Sequence, residues 1–148
     1  MLNYVPSTFF SAIITLLVAF TVHEYAHAWT ATKFGDDTPS LYGRLTLNPV
    51  AHLDFLGSLM LIFAGFGWAK PVPINPRKLR EHSPAAEMLV AFSGPISNFL
   101  LAVLAAIPLR FGLVVPTTAK ISIFPTPYQF LIYFVFTNLG LMLFNLIL

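Results

Sequence analysis

The sequence His23-Glu24-Tyr25-Ala26-His27 lies inside an apolar stretch that runs from about Phe9 to Ala31. A stretch of this length can cross a lipid bilayer as a helix. On a helix, residues four apart share one face, so both imidazoles can bind one metal ion while Glu24 reaches a water beside it. The pattern predicts two metal ligands, His23 and His27, and one catalytic base, Glu24, at membrane depth.

A purely structural interpretation of the same residues is that the two histidines hydrogen-bond within a helix bundle. Against it stands the cost of an ionisable group in the membrane, roughly 2.5 kcal/mol or more for an acidic side chain at a helix centre. A glutamate at that depth, beside two histidines, needs a compensating partner. The metal interpretation supplies one and is therefore favoured.

Composition identifies the class of protein. Of the 148 residues, 57% are hydrophobic and 9% are charged, whereas soluble domains carry about 25% charged residues. The chain is therefore expected to be one polytopic membrane domain, residues 1–148, with the lipid bilayer as its surroundings. A net charge of +2 without a basic run gives no indication of a nucleic-acid partner. Because the chain has no cysteine, any zinc must be held by imidazole and oxygen ligands, as in catalytic sites.

Three apolar segments are long enough to be transmembrane helices. They run from Ser7 or Thr8 to about Gly35, from about Ala85 to Leu109, and from about Tyr128 to Leu148. In the second helix, Pro95 removes a backbone hydrogen bond and is expected to cause a kink. Counted from the end where Lys33 emerges, Asn98 lies at about the same depth as His23, so the two are expected to face each other.

The connection between the first two helices is more varied. The run from Phe55 to Trp68 is short for a span and contains glycines, which predicts a re-entrant or tilted segment. Alternating residues from Leu41 to Leu47 predict a small β element beside the membrane, and Asp36 and Asp37 before it are expected to be solvated turn residues. The predicted fold is all-α and polytopic, with about three transmembrane helices, one short apolar segment and this β element.

The segment from Lys70 to Pro76 contains three prolines, which favour an extended backbone over a helix. It is followed by most of the positive charge, at Arg77, Lys78 and Arg80. By the positive-inside rule this loop faces the cytoplasm, and the predicted site then lies in the bilayer nearer the cytoplasmic side. The extended segment, or the predicted strand near Leu45, is a candidate to pair with another unwound backbone as an added strand.

A third zinc ligand is missing from the pattern, since catalytic zinc usually takes three protein ligands. Asp54 and His52 have suitable chemistry, but their position before an apolar run favours helix capping or loop fixing. Asn138 and Asn145 are better suited to hydrogen bonds between helices. Asn98 has two open interpretations: such a hydrogen bond, or contact with the substrate backbone or an oxyanion.

The whole chain resembles the site-2 protease family of intramembrane zinc metalloproteases, especially its small bacterial and archaeal members without a PDZ domain. Six stretches carry the resemblance: His23 to His27, Gly43-Arg44-Leu45-Thr46-Leu47-Asn48-Pro49, His52-Leu53-Asp54, Gly67-Trp68-Ala69-Lys70-Pro71-Val72-Pro73, Gly94-Pro95-Ile96-Ser97-Asn98 and Phe144-Asn145-Leu146-Ile147. The resemblance implies a multi-pass protein of a bacterial or archaeal cell membrane. It also implies a Zn²⁺-dependent endopeptidase that cleaves transmembrane segments of other proteins, with Glu24 activating a zinc-bound water.

The resemblance also implies where the third ligand would be. Members of the family take it from an aspartate in a Leu-Asp-Gly motif a few residues beyond the Phe-Asn-Leu-Ile stretch, and this chain ends at Leu148. The expectation is therefore that residues 1–148 form a core domain that is incomplete at its C-terminus. Two alternatives use the same buried His and Glu: a membrane metal or proton transporter, and an inactive relative that binds helices without cutting them.

Overall fold

The computed structural model describes residues 6–64, 66–117 and 123–147. Its helices, in chain order, are α1 (Pro6–Lys33), α2 (Thr38–Leu41), α3 (Phe55–Ala64), α4 (Pro76–His82), α5 (Ala86–Arg110) and α6 (Pro127–Ile147), with one 3-10 turn at Pro49–Ala51. Two residues of the predicted apolar segments lie outside the described residues: Leu148, at the end of the third helix, and the glycine at position 65.

Three of these helices, α1, α5 and α6, are long and apolar enough to cross a membrane. Their bounds agree with the predicted transmembrane helices within about two residues. At about 1.5 Å per residue, even the 21 residues of α6 extend over roughly the 30 Å of a hydrocarbon core. The chain is thus an integral membrane protein, as the composition predicts.

Helix α5 packs against both α1 and α6, and α1 also contacts α6. Pro95 lies inside α5, which continues through it as a helix. The buried face of α1 carries small side chains, among them Ser11, Thr15 and Ala19. Small residues let helix backbones approach closely in a membrane, and α1 is in direct contact with both α5 and α6.

The predicted β element at Leu41–Leu47 is wrong. Leu41 ends α2, the chain reverses at Gly43 with φ +67°, and no strand is found in the described residues. The β pairing that the described residues do contain is a single isolated antiparallel bridge, between Leu53 and Ala69, outside this stretch. The alternating pattern fails because Arg44, in the middle of the expected strand, turns inward and is 6% exposed.

Helix α3 belongs to an apolar hairpin whose two ends meet. Leu53 bridges Ala69, and the Lys70 N–H donates to the His52 carbonyl at 2.8 Å. The 10 residues of α3 extend only about 15 Å, half of a hydrocarbon core of about 30 Å. The chain therefore returns to the level from which it left, and the re-entrant segment stays a prediction.

Asp54 and His52 have the structural roles that the sequence favours. Asp54 Oδ1 accepts a hydrogen bond from the Gly57 N–H at 2.8 Å, which caps the start of α3. His52 is 1% exposed, and its Nε2 lies 2.7 Å from the Thr46 carbonyl oxygen, which fixes the preceding loop. The capping and loop-fixing prediction is confirmed.

The two adjacent aspartates differ. Asp37 is exposed as predicted and pairs with Lys78, whose hydrogen bond holds the pKa of that carboxyl below its usual value. For Asp36 the prediction of a solvated turn residue is wrong, because its side chain is fully buried. Its two oxygens accept from the Thr38 N–H at 3.0 Å and the Asn75 N–H at 2.6 Å, so backbone donors replace the lost water.

Gly57 and Gly67 let the two arms of the α3 hairpin touch through their backbones. A Cβ on Gly57 would overlap the Trp68 carbonyl oxygen, so Gly57→Ala is expected to lower the stability by about 1–3 kcal/mol through overpacking. Thermal unfolding in detergent measures this. The control is Gly140→Ala, where a Cβ meets nothing within 4 Å and helix propensity makes the change neutral or favourable. Equal melting temperatures for both variants would contradict the close contact.

Candidate metal and catalytic site

His23 and His27 bring their Nε2 atoms together on one face of α1, with 3.1 Å between them. The spacing of four residues produces this, because side chains at i and i+4 lie one above the other on a helix. His23 is only 7% exposed. Two imidazole nitrogens therefore converge within the helix bundle, where the sequence predicts a metal.

The opposite ring nitrogens are fixed by α5. His27 Nδ1 lies 2.7 Å from the Val90 carbonyl oxygen, which can only accept, so this nitrogen carries the proton. His23 Nδ1 lies 3.2 Å from Asn98 Oδ1, an oxygen that likewise accepts. In neutral imidazoles both Nε2 atoms then present lone pairs. Two lone pairs at this distance repel unless a cation lies between them.

This arrangement fits zinc. Zinc–nitrogen bonds of about 2.0–2.1 Å at a tetrahedral angle place two ligand nitrogens about 3.3 Å apart, close to the observed separation of 3.1 Å. Metal-binding histidines normally donate their other N–H to a carbonyl or carboxylate, which fixes the tautomer. Val90 and Asn98 accept here in that manner.

Gly94 lies directly against the nitrogen pair. A Cβ at this position would lie 2.6 Å from His23 Nε2 and closer still to His27 Nε2. The glycine thus keeps open the side of the two nitrogens that faces α5. Sequence reasoning noted Gly94 beside Pro95 but gave it no part in the site, because nothing in the sequence indicates how closely two helices approach.

Glu24 is the neighbour of His23 on α1, and its carboxylate contacts the connection that follows α3. Oε2 accepts a hydrogen bond from the Val72 N–H at 3.0 Å. One oxygen of the predicted base is thus held by a backbone donor. The sequence did not identify Val72, although its position between Pro71 and Pro73 marks it as the single N–H of that tripeptide.

Asn98 is fully buried on α5 and faces His23, as the depth argument predicts. Its Oδ1 takes part in the interhelical contact and also accepts from Ser97 Oγ at 3.4 Å. Its Nδ2 has no hydrogen-bond partner among the described residues. The helix–helix interpretation therefore accounts for the oxygen, while contact with a substrate or oxyanion stays a prediction for the NH₂ group.

A third metal ligand is not found in the part of the chain that the structure describes. No group of three His, Cys, Asp or Glu side chains there is placed to hold a metal ion. Asp54 and His52, the two local candidates, are engaged in the loop contacts described above. The described residues bring two imidazoles, His23 and His27, and one neighbouring carboxylate, Glu24, to this place.

Comparisons with known proteins show which proteins this chain is similar to. The model of Peptidase family M50 matches residues 11–127. YwhC of Bacillus subtilis (strain 168), named provisionally as a zinc metalloprotease, is 45% identical over 140 residues, which cover 91% of this chain and 61% of that protein. Rip2 of Mycolicibacterium smegmatis, with the same kind of name, is 36% identical over 110 residues, or 70% of this chain and 40% of that protein. The chain thus spans about three fifths of the first relative and two fifths of the second. No solved structure matches it.

Gly94→Ala is expected to weaken metal binding at least tenfold, because the added methyl group would occupy the space beside both Nε2 atoms. Competition with a zinc chelator measures the affinity. Gly140→Ala, a helical glycine with open space around it, is the matched control. Unchanged zinc affinity in Gly94→Ala, with the melting temperature retained, would contradict the proposed position of the metal.

Proposed function

The chain belongs to Peptidase family M50, and on this premise we propose that it forms the membrane core of a zinc-dependent intramembrane endopeptidase. The family match confirms the resemblance to the site-2 proteases. The observation that carries the proposal is the convergence of His23 Nε2 and His27 Nε2 at 3.1 Å, inside a helix long enough to cross a membrane. Glu24 adjoins this pair and supplies the base that hydrolysis requires.

His23 and His27 are the proposed protein ligands of Zn²⁺. When bound, the ion supplies Lewis-acid activation of a water and of the scissile carbonyl. The third ligand is proposed to come from outside the described residues, because the described ones offer no further donor at the site. Residues 1–148 are proposed to form one metalloprotease core domain.

Glu24 is the proposed proton carrier. Its carboxylate takes a proton from the attacking water and delivers it to the leaving amine as the peptide bond breaks. Because the Val72 N–H holds Oε2, the other oxygen is left for this transfer. Asn98 is proposed to donate from Nδ2 to the substrate carbonyl or oxyanion, since that buried group has no protein partner among the described residues.

The proposed substrates are transmembrane segments of other proteins. In a helix each carbonyl is hydrogen-bonded within the segment, so the substrate must unwind before hydrolysis. The segment from Lys70 to Pro76 is proposed to bind the unwound backbone. Alternate residues of an extended chain face opposite edges. At the edge that carries Pro71 and Pro73, these two residues can accept hydrogen bonds through their carbonyls but cannot donate any, because proline has no N–H.

The proposed location is the cell membrane, with the site nearer the cytoplasmic face. His27 lies six residues before Lys33, the last residue of α1, or about 9 Å along the axis. The connection that starts at this end carries the basic residues of α4, which the positive-inside rule places in the cytoplasm.

Glu24→Gln is expected to abolish peptide cleavage in practice: its rate should fall about 10²-fold or more, as for loss of a general base, while zinc stays bound. A susceptible transmembrane substrate in detergent or vesicles provides the assay. Glu81→Gln, which changes an exposed carboxylate on α4, is the control. Cleavage by Glu24→Gln at the wild-type rate would exclude the proposed mechanism. Metal flux into vesicles without cleavage would identify a transporter.

Zinc per chain tests the ligand set. Elemental analysis should compare the 148-residue chain, the same chain extended by its natural downstream residues, and both with His23→Ala and His27→Ala. We expect near-stoichiometric zinc in the extended chain and its loss in the double variant, with His82→Ala, an exposed histidine, as the control. Full zinc in the 148-residue chain would instead mean that a local group or water completes the site. Zinc retained by the double variant would refute these ligands.

A further inference from the structure

The segment 70–75, here called the strap, is fixed by backbone contacts along its whole length. Prolines at positions 71 and 73 leave it four N–H groups, at Lys70, Val72, Ile74 and Asn75. Three of these have acceptors elsewhere: Lys70 N–H donates to the His52 carbonyl at 2.8 Å, Val72 N–H to Glu24 at 3.0 Å, and Asn75 N–H to Asp36 at 2.6 Å. The strap thus presents one donor to the proposed base and is anchored on either side of it.

Arg44 provides the anchor next to Val72. Its side chain is buried, and Nη1 donates to the Ala51 carbonyl at 2.6 Å and to the Lys70 carbonyl at 3.3 Å. No ion pair with a carboxylate is found for Arg44 among the described residues. Burying a charged guanidinium costs free energy unless its N–H groups are hydrogen-bonded. Because Arg44 would lose its carbonyl acceptors if it moved, the strap is tied to a side chain whose position is fixed.

Between the two contacts lies a stiff connection. Only Pro71 separates the Lys70 carbonyl from the Val72 N–H, and its ring fixes φ near −65°. Because the flanking peptide bonds are planar, ψ of Pro71 is the one free rotation between the two groups, and a shift of the Lys70 carbonyl is largely transmitted to the Val72 N–H. The connection is one residue long, or about 3.5 Å in an extended chain.

We propose that Arg44 is a positioning residue for Glu24: it holds the strap so that the Val72 N–H fixes one carboxylate oxygen of the base. This inference rests on the proposed role of Glu24 in proton transfer. A hydrogen bond to a charged acceptor, once lost, leaves the carboxylate free to rotate away from the geometry that the transfer needs. Arg44 itself touches no reacting atom.

Hydrogen exchange tests the coupling without any activity. Prolines at positions 71, 73 and 76 remove three amides from a peptide covering residues 68–79, which then reports on Lys70, Val72, Ile74, Asn75 and the start of α4. Arg44→Met is expected to speed exchange at Val72 at least tenfold while amides of α1 and α5 keep their protection. Arg77→Met, which removes an 87% exposed side chain, is the matched control. Unchanged exchange at Val72 in Arg44→Met would overturn the proposal.

Kinetics test the consequence for the base, in whichever chain of the zinc experiment cleaves substrate. Arg44→Met is expected to lower kcat about tenfold or more, as for a lost hydrogen bond to a charged group, with KM within about twofold. Arg44→Lys, which can still donate to one carbonyl, should restore part of the loss. An effect on KM alone, or a drop in melting temperature that Arg44→Lys does not rescue, would mean a merely structural role.

The N–H itself is tested by a pair of variants. Val72→Pro removes the donor and keeps an extended backbone, whereas Val72→Ala keeps the donor and removes the side chain, so the ratio of their kcat values isolates the hydrogen bond. We expect a ratio of about tenfold or more; equal values would overturn the proposal. If Val72→Pro does not fold, the Arg44 variants decide. If Arg44→Met speeds exchange at Val72 while Glu24→Gln keeps full activity, the proposed function is refuted and the anchoring of the strap by Arg44 stands.

Discussion

Two imidazole Nε2 atoms 3.1 Å apart inside an apolar bundle are the arrangement on which the rest of the structure depends. In the tautomer that leaves both atoms unprotonated, they repel each other without a cation, and each ring is held from behind. The holders are on α5: a backbone carbonyl at Val90 and an amide oxygen at Asn98. These contacts require α5 to approach α1 closely, and that approach requires Gly94 to lack a side chain.

The connection between α1 and α5 follows a different rule. Two buried charged side chains, Asp36 and Arg44, organise it, and both are satisfied by backbone groups instead of by each other. Asp36 collects N–H donors and Arg44 collects carbonyl acceptors, so each joins parts of the loop that are distant in sequence. A loop of this kind needs little regular secondary structure, because its shape is set by a few charge-assisted hydrogen bonds.

The sequence predicts the transmembrane helices well, because long apolar segments have few alternatives in a membrane. It also places His23, Glu24, His27 and Asn98 at one depth, since helical rise converts residue number into distance. It fails at Leu41–Leu47, where alternation suggests a strand but Arg44 needs buried carbonyls. It fails again at Asp36, because nothing local distinguishes a solvated aspartate from one that accepts N–H groups 39 residues away in the chain. Contacts that join distant parts of the chain through the backbone, such as Val72 with Glu24, leave no side-chain pattern to recognise.

The site is therefore built by two independent parts of the chain. The two imidazole nitrogens are fixed by helix packing, where rigidity comes from close backbone approach. The Glu24 carboxylate is fixed by the strap, which lies in the connection and is held by hydrogen bonds to Arg44, His52 and Asp36. In the proposed function, metal affinity and proton transfer would therefore depend on different contacts, although His23 and Glu24 are neighbours in sequence. If the proposed substrate unwinds beside the strap, it would press on the contacts that orient Glu24 and would leave the contacts behind His23 and His27 undisturbed.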